Sequence, residues 1–257
     1  MPKYSIPQLR VRTEYSFKEA YGPVAEVAVA LVQQGQLTGG IVDTAGTWGH
    51  VAWEKACGDA GVDAMFGVEL EMHWPKAEEH HLDRKPRCWA LAEDLAAFYR
   101  LSSADPHSPA ELWENRAGSV IFAGAALDDP ACFDYVDVNP RSRRAAQRSM
   151  RLAKRTKKPI VITSDNDFPS SEYRERFLAW NDSNKLTPQH LLTDAEFEKH
   201  FSFLRGGRAS LRIAAALGAD HFRGRGPSCL GGIGAAKSLG PRAHCAVDRG
   251  VRVATDP

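Results

Sequence analysis

Cysteine is scarce in this 257-residue chain, with only Cys57, Cys88, Cys132, Cys229 and Cys245. Their number is odd, their spacings are wide, and no two form a CxxC-type pair. That argues against a disulfide framework and against a cysteine-based structural zinc site. They read as reduced thiols, with Cys57, Cys88 and Cys132 in the core. An excess of charge is also missing: 33 Lys and Arg meet 32 Asp and Glu, for a net +1. The whole chain therefore has no pull toward nucleic acid or anionic membrane, and any basic site is local. No apolar run approaches the ~18 residues of a membrane span. Residues 1–7 (MPKYSIP) have no apolar core of signal-peptide type, so a soluble, cytoplasmic protein with no membrane partner is expected. No G-x-S-x-G nucleophile elbow occurs. The glycine run Gly231-Gly232-Ile233-Gly234 has no strand before it and makes a poor phosphate loop.

What is present is ordinary globular material, 43% hydrophobic and 25% charged, which argues against a mostly disordered chain. The length suits one large domain, two small ones, or a single α/β barrel of about 250 residues.

Hydrophobic periodicity predicts a helix over 23–34, with Val24, Val27, Ala28 and Leu31 on one face and Gly35 as its stop. A strand is predicted at 41–43, a helix at 51–60 ended by Gly61, and a strand at 64–72. Next come a strand at 88–92, a helix at 94–101, and a helix opened by the capping box Ser108-Pro109-Ala110-Glu111. Strands at 119–123 and 133–138, a helix at 141–157 and a strand at 159–163 follow. Beyond these the chain turns helical, at 172–180, at 193–201 behind the capping box Thr193–Glu196, and at 208–217. Alternation up to about residue 165 predicts an α/β protein with a largely parallel sheet of roughly six strands. Periodicity alone does not separate a barrel from an open sheet. After about Gly224, Gly and Pro become frequent and the apolar period fades. The expected division is therefore a domain over 1–223 and a flexible or truncated C-terminal tail over 224–257.

Six segments, in order, carry a family resemblance. They are Leu9-Arg10-Val11-Arg12-Thr13-Glu14-Tyr15-Ser16; Ile41-Val42-Asp43-Thr44-Ala45-Gly46; Phe66-Gly67-Val68-Glu69-Leu70; Trp89-Ala90-Leu91-Ala92-Glu93-Asp94; Pro159-Ile160-Val161-Ile162-Thr163-Ser164-Asp165-Asn166-Asp167-Phe168; and His190 to Phe201. Over roughly residues 6–220 the chain resembles the PHP (polymerase and histidinol phosphatase) domain. The form it most resembles begins the alpha subunit of bacterial DNA polymerase III. The resemblance implies a distorted (β/α)7-like barrel with a helical extension. It also implies partners among polymerase or replication proteins, and a role in DNA replication or repair.

In active members of that family, His and carboxylate side chains at strand ends hold divalent metals. Such metals generate hydroxide for attack on phosphoesters. Here the paired His positions of the first motif are Arg10 and Arg12, and guanidinium cannot donate a lone pair to a metal. The second motif reads Asp43-Thr44-Ala45, so its His has become Ala45 and its Asp corresponds to Thr44; a one-residue slip would bring in Asp43. The late motif has Asp167 where the family has His. Glu69 and Asp165 remain as ligand types. The expectation is a pseudoenzyme, with no cofactor, whose Arg10 and Arg12 pair with Glu69, Asp165 and Asp167 by charge-assisted hydrogen bonds. The alternative is a PHP-type metal-dependent phosphoesterase or 3′–5′ exonuclease holding Zn, Mn or Mg through Asp43, Glu69, Asp165 and Asp167.

Other features have plainer readings. Glu69, Glu71 and His73 alternate along a strand, with Glu78, Glu79, His80 and His81 nearby; a strand leading into a solvated loop explains them as well as a metal site does. His50, beside Trp48 and Trp53, reads as a helix-end or packing residue. Ser164-Asp165-Asn166-Asp167 resembles a polymerase palm motif, but the chain is too short for a polymerase core. Residues 141–158 hold nine Lys or Arg and no acid. Arg144, Arg148, Arg151 and Arg155 fall on one helical face. That face reads either as a solvated outer surface or as a phosphate-binding stripe for DNA or an acidic partner. It has no interleaved aromatics to support single-strand stacking.

Overall fold

The first three strands lie parallel, side by side, because two helices carry the chain back between them. Strand β1 (Gln8–Val11) leads to helix α1 (Val24–Gln33), β2 (Thr38–Thr44), α2 (His50–Ala60) and β3 (Asp63–Glu71). In α1, Val24, Val27, Ala28 and Leu31 are buried at the expected helical spacing. Pro23 caps the helix rather than entering it. Helix α2 ends where the sequence predicts, because Gly61 takes a left-handed φ of +73° and its N–H returns to the Cys57 carbonyl. The structure, a computed structural model, describes residues 8–44, 46–72, 87–92, 95–101, 108–123, 132–139, 143–181 and 189–200.

The chain continues through β4 (Arg87–Ala92), α3 (Leu95–Leu101), α4 (Pro109–Asn115), β5 (Ser119–Ala123), β6 (Tyr135–Val138), α5 (Arg143–Thr156) and β7 (Ile160–Ile162). A 3-10 turn (Ser171–Tyr173) then precedes α6 (Arg174–Asn181), and α7 (Asp194–His200) follows. Both predicted capping boxes form. The Glu111 N–H donates to Ser108 Oγ while the Ser108 N–H donates to Glu111 Oε2. Thr193 and Glu196 do the same. The predicted helix at 208–217, the glycine run at 231–234 and the tail at 224–257 lie outside the described residues.

The sheet has seven strands in the order β1-β2-β3-β4-β5-β6-β7, one more than the roughly six predicted. Its ends are parallel, β1–β2–β3 and β5–β6–β7, but β4 runs antiparallel to both neighbours. The parallel expectation is therefore corrected at β4, whose reversal brings the start of that strand, Arg87, to the end of the sheet where β3 finishes. Gly40 permits the close β1–β2 approach, since a Cβ there would sit 2.5 Å from the Leu9 carbonyl oxygen.

The sheet is curled, and polar contacts tie its two edges. The Arg12 N–H donates to the Asn166 carbonyl at 3.2 Å. The Asn166 amide donates to Gln8 Oε1 at 2.9 Å and to the Arg10 carbonyl at 3.1 Å. Asn166 holds φ +33°, a region Asn tolerates better than most residues. Apolar side chains fill both faces of the curl. Leu9, Val42, Met65, Trp89, Leu91, Val120, Phe122 and Val161 pack inside, with Trp89 stacked on Phe122 at 3.8 Å. The larger cluster, including Val11, Leu31, Ile41, Trp53, Phe66 and Phe98, lies between strands and helices. Cys57, Cys88 and Cys132 are buried free thiols, as expected. No helix among the described residues is long and apolar enough to cross a membrane.

Candidate functional site: an ion-pair cluster at the mouth of the sheet

Strands β1, β2, β3, β6 and β7 deliver their C-terminal ends, and antiparallel β4 its N-terminal end, to one mouth. The register of β1 against β2 shifts between Gln8 and Val11, so strict alternation fails there. Leu9 packs in the inner cluster and Val11 in the outer one. Even so, Arg10 and Arg12 converge on the same carboxylate.

That carboxylate belongs to Glu69. Its Oε1 accepts from Arg10 Nη2 at 2.5 Å and from Arg12 Nη2 at 2.7 Å. Its Oε2 accepts from the same Arg12 nitrogen at 2.7 Å and from Arg87 Nη1 at 3.2 Å. Arg12 Nη1 donates to Asp167 Oδ1 at 2.9 Å, and the Gln189 amide supplies the other Asp167 oxygen at 2.5 Å. Arg10 Nη1 lies 3.4 Å from Asp137 Oδ2 and 3.7 Å from Asp165 Oδ1. Asn139 donates to Asp165 Oδ1 at 3.1 Å. Arg87 clasps Glu19 at 2.7 Å and reaches Glu71 at 3.5 Å. The Thr44 hydroxyl, 3.0 Å from Glu19 and 3.1 Å from Glu69, has one proton to share between them.

Burial makes these contacts consequential. The side chains of Arg12, Glu69 and Asp167 are 5%, 2% and 0% exposed. Taking such charges out of water costs several kcal/mol per ion, which only close pairing with additional hydrogen bonds offsets. Burial opposes ionisation of Glu69, yet Arg12, Arg10 and Arg87 hold its carboxyl well below the usual range. The same balance raises both arginines: burial works against their charge, and Glu69 followed by the neighbouring aspartates outweighs it. Asp137 goes the other way. Burial pushes its carboxyl up, against Arg10, the Thr163 hydroxyl and the Trp89 indole N–H.

Asp43 does not join the arginines. Its Oδ1 accepts from the Thr13 N–H at 2.8 Å and from Ser16 Oγ at 2.7 Å, and its Oδ2 accepts from Thr13 Oγ1 at 2.8 Å. It anchors the segment that crosses the mouth after β1, and burial raises its pKa. Of the other sequence candidates, Arg10, Arg12, Thr44, Glu69, Asp165 and Asp167 come together. Ala45, His73, Glu78, Glu79, His80 and His81 lie outside the described residues. Arg144, Arg148, Arg151 and Arg155 are exposed on α5 and take no part in the cluster. His50 is a buried packing residue, as expected. Its ring contacts Phe66 and Phe98, and its Nε2 faces the Gly67 carbonyl at 2.9 Å. Burial lowers its pKa to about 4.

Sequence reasoning missed Asp137, Arg87 and Glu19. Asp137 left a signal, a lone acid inside the apolar strand Tyr135-Val136-Asp137-Val138. Arg87 and Glu19, far apart in sequence, left none without the direction of β4.

These donors do not fit a divalent cation as they stand. Both Glu69 oxygens and the Oδ1 of Asp167 face guanidinium N–H groups, and a dication there would sit against Arg10 and Arg12. Among the described residues no three His, Cys, Asp or Glu side chains are grouped to hold a metal ion.

No protein-family model matches the chain, and no curated protein matches it by sequence. Solved structures do. A candidate metal-dependent phosphoesterase from Bifidobacterium adolescentis superposes with a TM-score of 0.50 at 12% identity, over 80% of this chain and 100% of its own. The fold is a distorted α/β barrel of the PHP type. An amidohydrolase from Chromobacterium violaceum, solved with sulfate and no metal, is 11% identical over 68% of this chain and 96% of its own, with a TM-score of 0.47. PsfC from Pseudomonas syringae is 13% identical over 63% of this chain and 75% of its own, at 0.41. At these identities the first likeness speaks to the PHP-type fold alone, and the other two add nothing to it.

Proposed function

We propose that this PHP-type domain works without catalytic metals, as a structural or partner-binding module. One observation carries the reading: three guanidinium groups surround the Glu69 carboxylate at the mouth where strand ends meet. A cluster whose cations are covalently part of the chain stabilises the barrel end without an exchangeable ion. It also leaves no Lewis acid aimed at a substrate. The six-segment resemblance to the DNA polymerase III alpha subunit supports a place in DNA replication or repair, beside polymerase or replication proteins.

A second reading is favoured by the fold neighbour described as a metal-dependent phosphoesterase. In it, Glu69, Asp137, Asp165 and Asp167 hold Zn, Mn or Mg after the arginines swing away, and the chain cleaves phosphomonoesters or 3′-terminal DNA. Elemental analysis of the purified protein, paired with hydrolysis assays on p-nitrophenyl phosphate and 3′-labelled DNA, separates the two. The first reading expects far less than one metal per chain and no turnover. About one metal per chain, with turnover that disappears in Glu69→Ala, establishes the second.

A further inference from the structure

The mouth leaves a strongly basic stretch of the chain unexplained. Nine of the 33 Lys and Arg fall within residues 141–158, against none of the 32 Asp and Glu, and six of the nine lie on α5 itself. In α5 the buried side chains are Ala146, Ser149, Leu152 and Ala153. Ala146 packs with Val138, Ile162, Leu192 and Phe197, and Leu152 and Ala153 join the larger core cluster. Arg144, Arg148, Arg151, Lys154 and Arg155 are exposed on the other side. No salt bridge among the described residues involves any of these five. The mouth arginines have their charges answered within the fold, whereas these five have no ion-pair partner among the described residues.

We infer that the exposed face of α5 binds the sugar–phosphate backbone of duplex nucleic acid. The four arginines at i, i+4, i+7 and i+11 span about 16 Å of helix axis. Duplex DNA offers roughly one negative charge per 1.7 Å, so every arginine on the rail can meet a phosphate. Guanidinium matches phosphate oxygens with paired N–H donors. The character of the face selects among polyanions. It exposes Arg144, Gln147, Arg148, Arg151, Lys154 and Arg155, with no exposed aromatic or large aliphatic side chain. An interfacial membrane helix needs an apolar face to bury, protein interfaces rely on apolar or aromatic anchors, and single strands bind through stacking. Backbone binding to a duplex needs none of these. The contact is sequence-independent, because phosphates position and carry no base information.

The test titrates the full chain into a fluorescein-labelled 20-base-pair duplex of arbitrary sequence, followed by anisotropy from 50 to 200 mM salt. Four phosphate contacts give a slope of log K against log salt of about −3.6, and about 150-fold weaker binding across that range. The exposed substitutions R148Q and R151Q should each make the slope shallower by about 1. The combined variant R144Q/R148Q/R151Q/R155Q should abolish binding while keeping the wild-type circular dichroism. If the combined variant loses its fold, the two single variants decide. Wild-type binding that is absent at 50 mM salt overturns the inference, and so does binding unchanged in the single variants. Tighter binding to polyglutamate or to phosphatidylserine vesicles than to the duplex also overturns it, and assigns the face to an acidic protein or a membrane.

Discussion

Replacing Arg12 by methionine removes one charge and keeps most of the stem volume that packs against the barrel. Three N–H···O contacts disappear with the guanidinium, two to Glu69 and one to Asp167. The two carboxylates left behind are almost wholly buried. Breaking a buried pair from one side costs about 3–5 kcal/mol. Two orphaned acids put Arg12→Met at the upper end, against a domain stability of about 5–15 kcal/mol. Proton uptake caps the loss. Neutralising a carboxyl of ordinary pKa, about 4.3, at pH 7 costs ~4 kcal/mol, after which the acid sits buried as a neutral group. The cap makes the effect pH-dependent with a definite sign. In the wild type the Glu69 pKa is depressed, so its contribution is present above the unfolded value and is lost as pH falls through the folded one. In the variant Glu69, having lost Arg12, binds a proton more readily. The stability gap should therefore be widest at pH 8 and narrow toward pH 5. Urea denaturation followed by tryptophan fluorescence at both pH values measures it, and adding Glu69→Gln and Asp167→Asn to Arg12→Met should recover part of the loss. A gap below about 1 kcal/mol at pH 8, or one that widens on acidification, would refute the reasoning, because it would mean that Arg12 is solvated.

His50 predicts a second pH effect. With a folded pKa of about 4 against an ordinary 6.5, its contribution is intact above pH 6.5 and is lost progressively down to about pH 4. The total is ~3 kcal/mol at 1.36 kcal/mol per pH unit, and His50→Phe should flatten that part of the stability–pH curve. Asp43→Ala should cost about 2 kcal/mol by leaving the Thr13 N–H without its acceptor and should speed amide exchange at Thr13, while Asp43→Asn, which keeps an acceptor, should cost less. Gly40→Ala should lower Tm, by an amount equivalent to about 1–3 kcal/mol, because its Cβ meets the Leu9 backbone at 2.5 Å.

The elements were legible where local rules govern them. The helix end at Gly61, the boxes at Ser108 and Thr193, and the apolar strand Ser119–Ala123 follow from capping, backbone freedom and composition. The direction of β4 was not legible, because the 15 residues from Met72 to Pro86 are enough for either a crossover or a turn. With that direction hidden, Arg87 and its clasp to Glu19 were hidden too. At the mouth, the swap of imidazole for guanidinium at Arg10 and Arg12 was readable from residue chemistry, and the acids they meet at Glu69, Asp165 and Asp167 are the ones expected. Asp43 illustrates the limit of reading by motif position. Thr13 and Ser16, three residues apart on one loop, hold its carboxylate away from the arginines, and only the path of that loop reveals it.

The central claim, that guanidinium groups occupy the mouth in place of exchangeable cations, is tested most directly by a crystal grown with manganese and measured for anomalous scattering. The account predicts ordered Arg10 and Arg12 guanidiniums against Glu69 and Asp167, with no manganese peak within coordination distance of Glu69. A manganese ion ligated by Glu69 with the arginines displaced would contradict it.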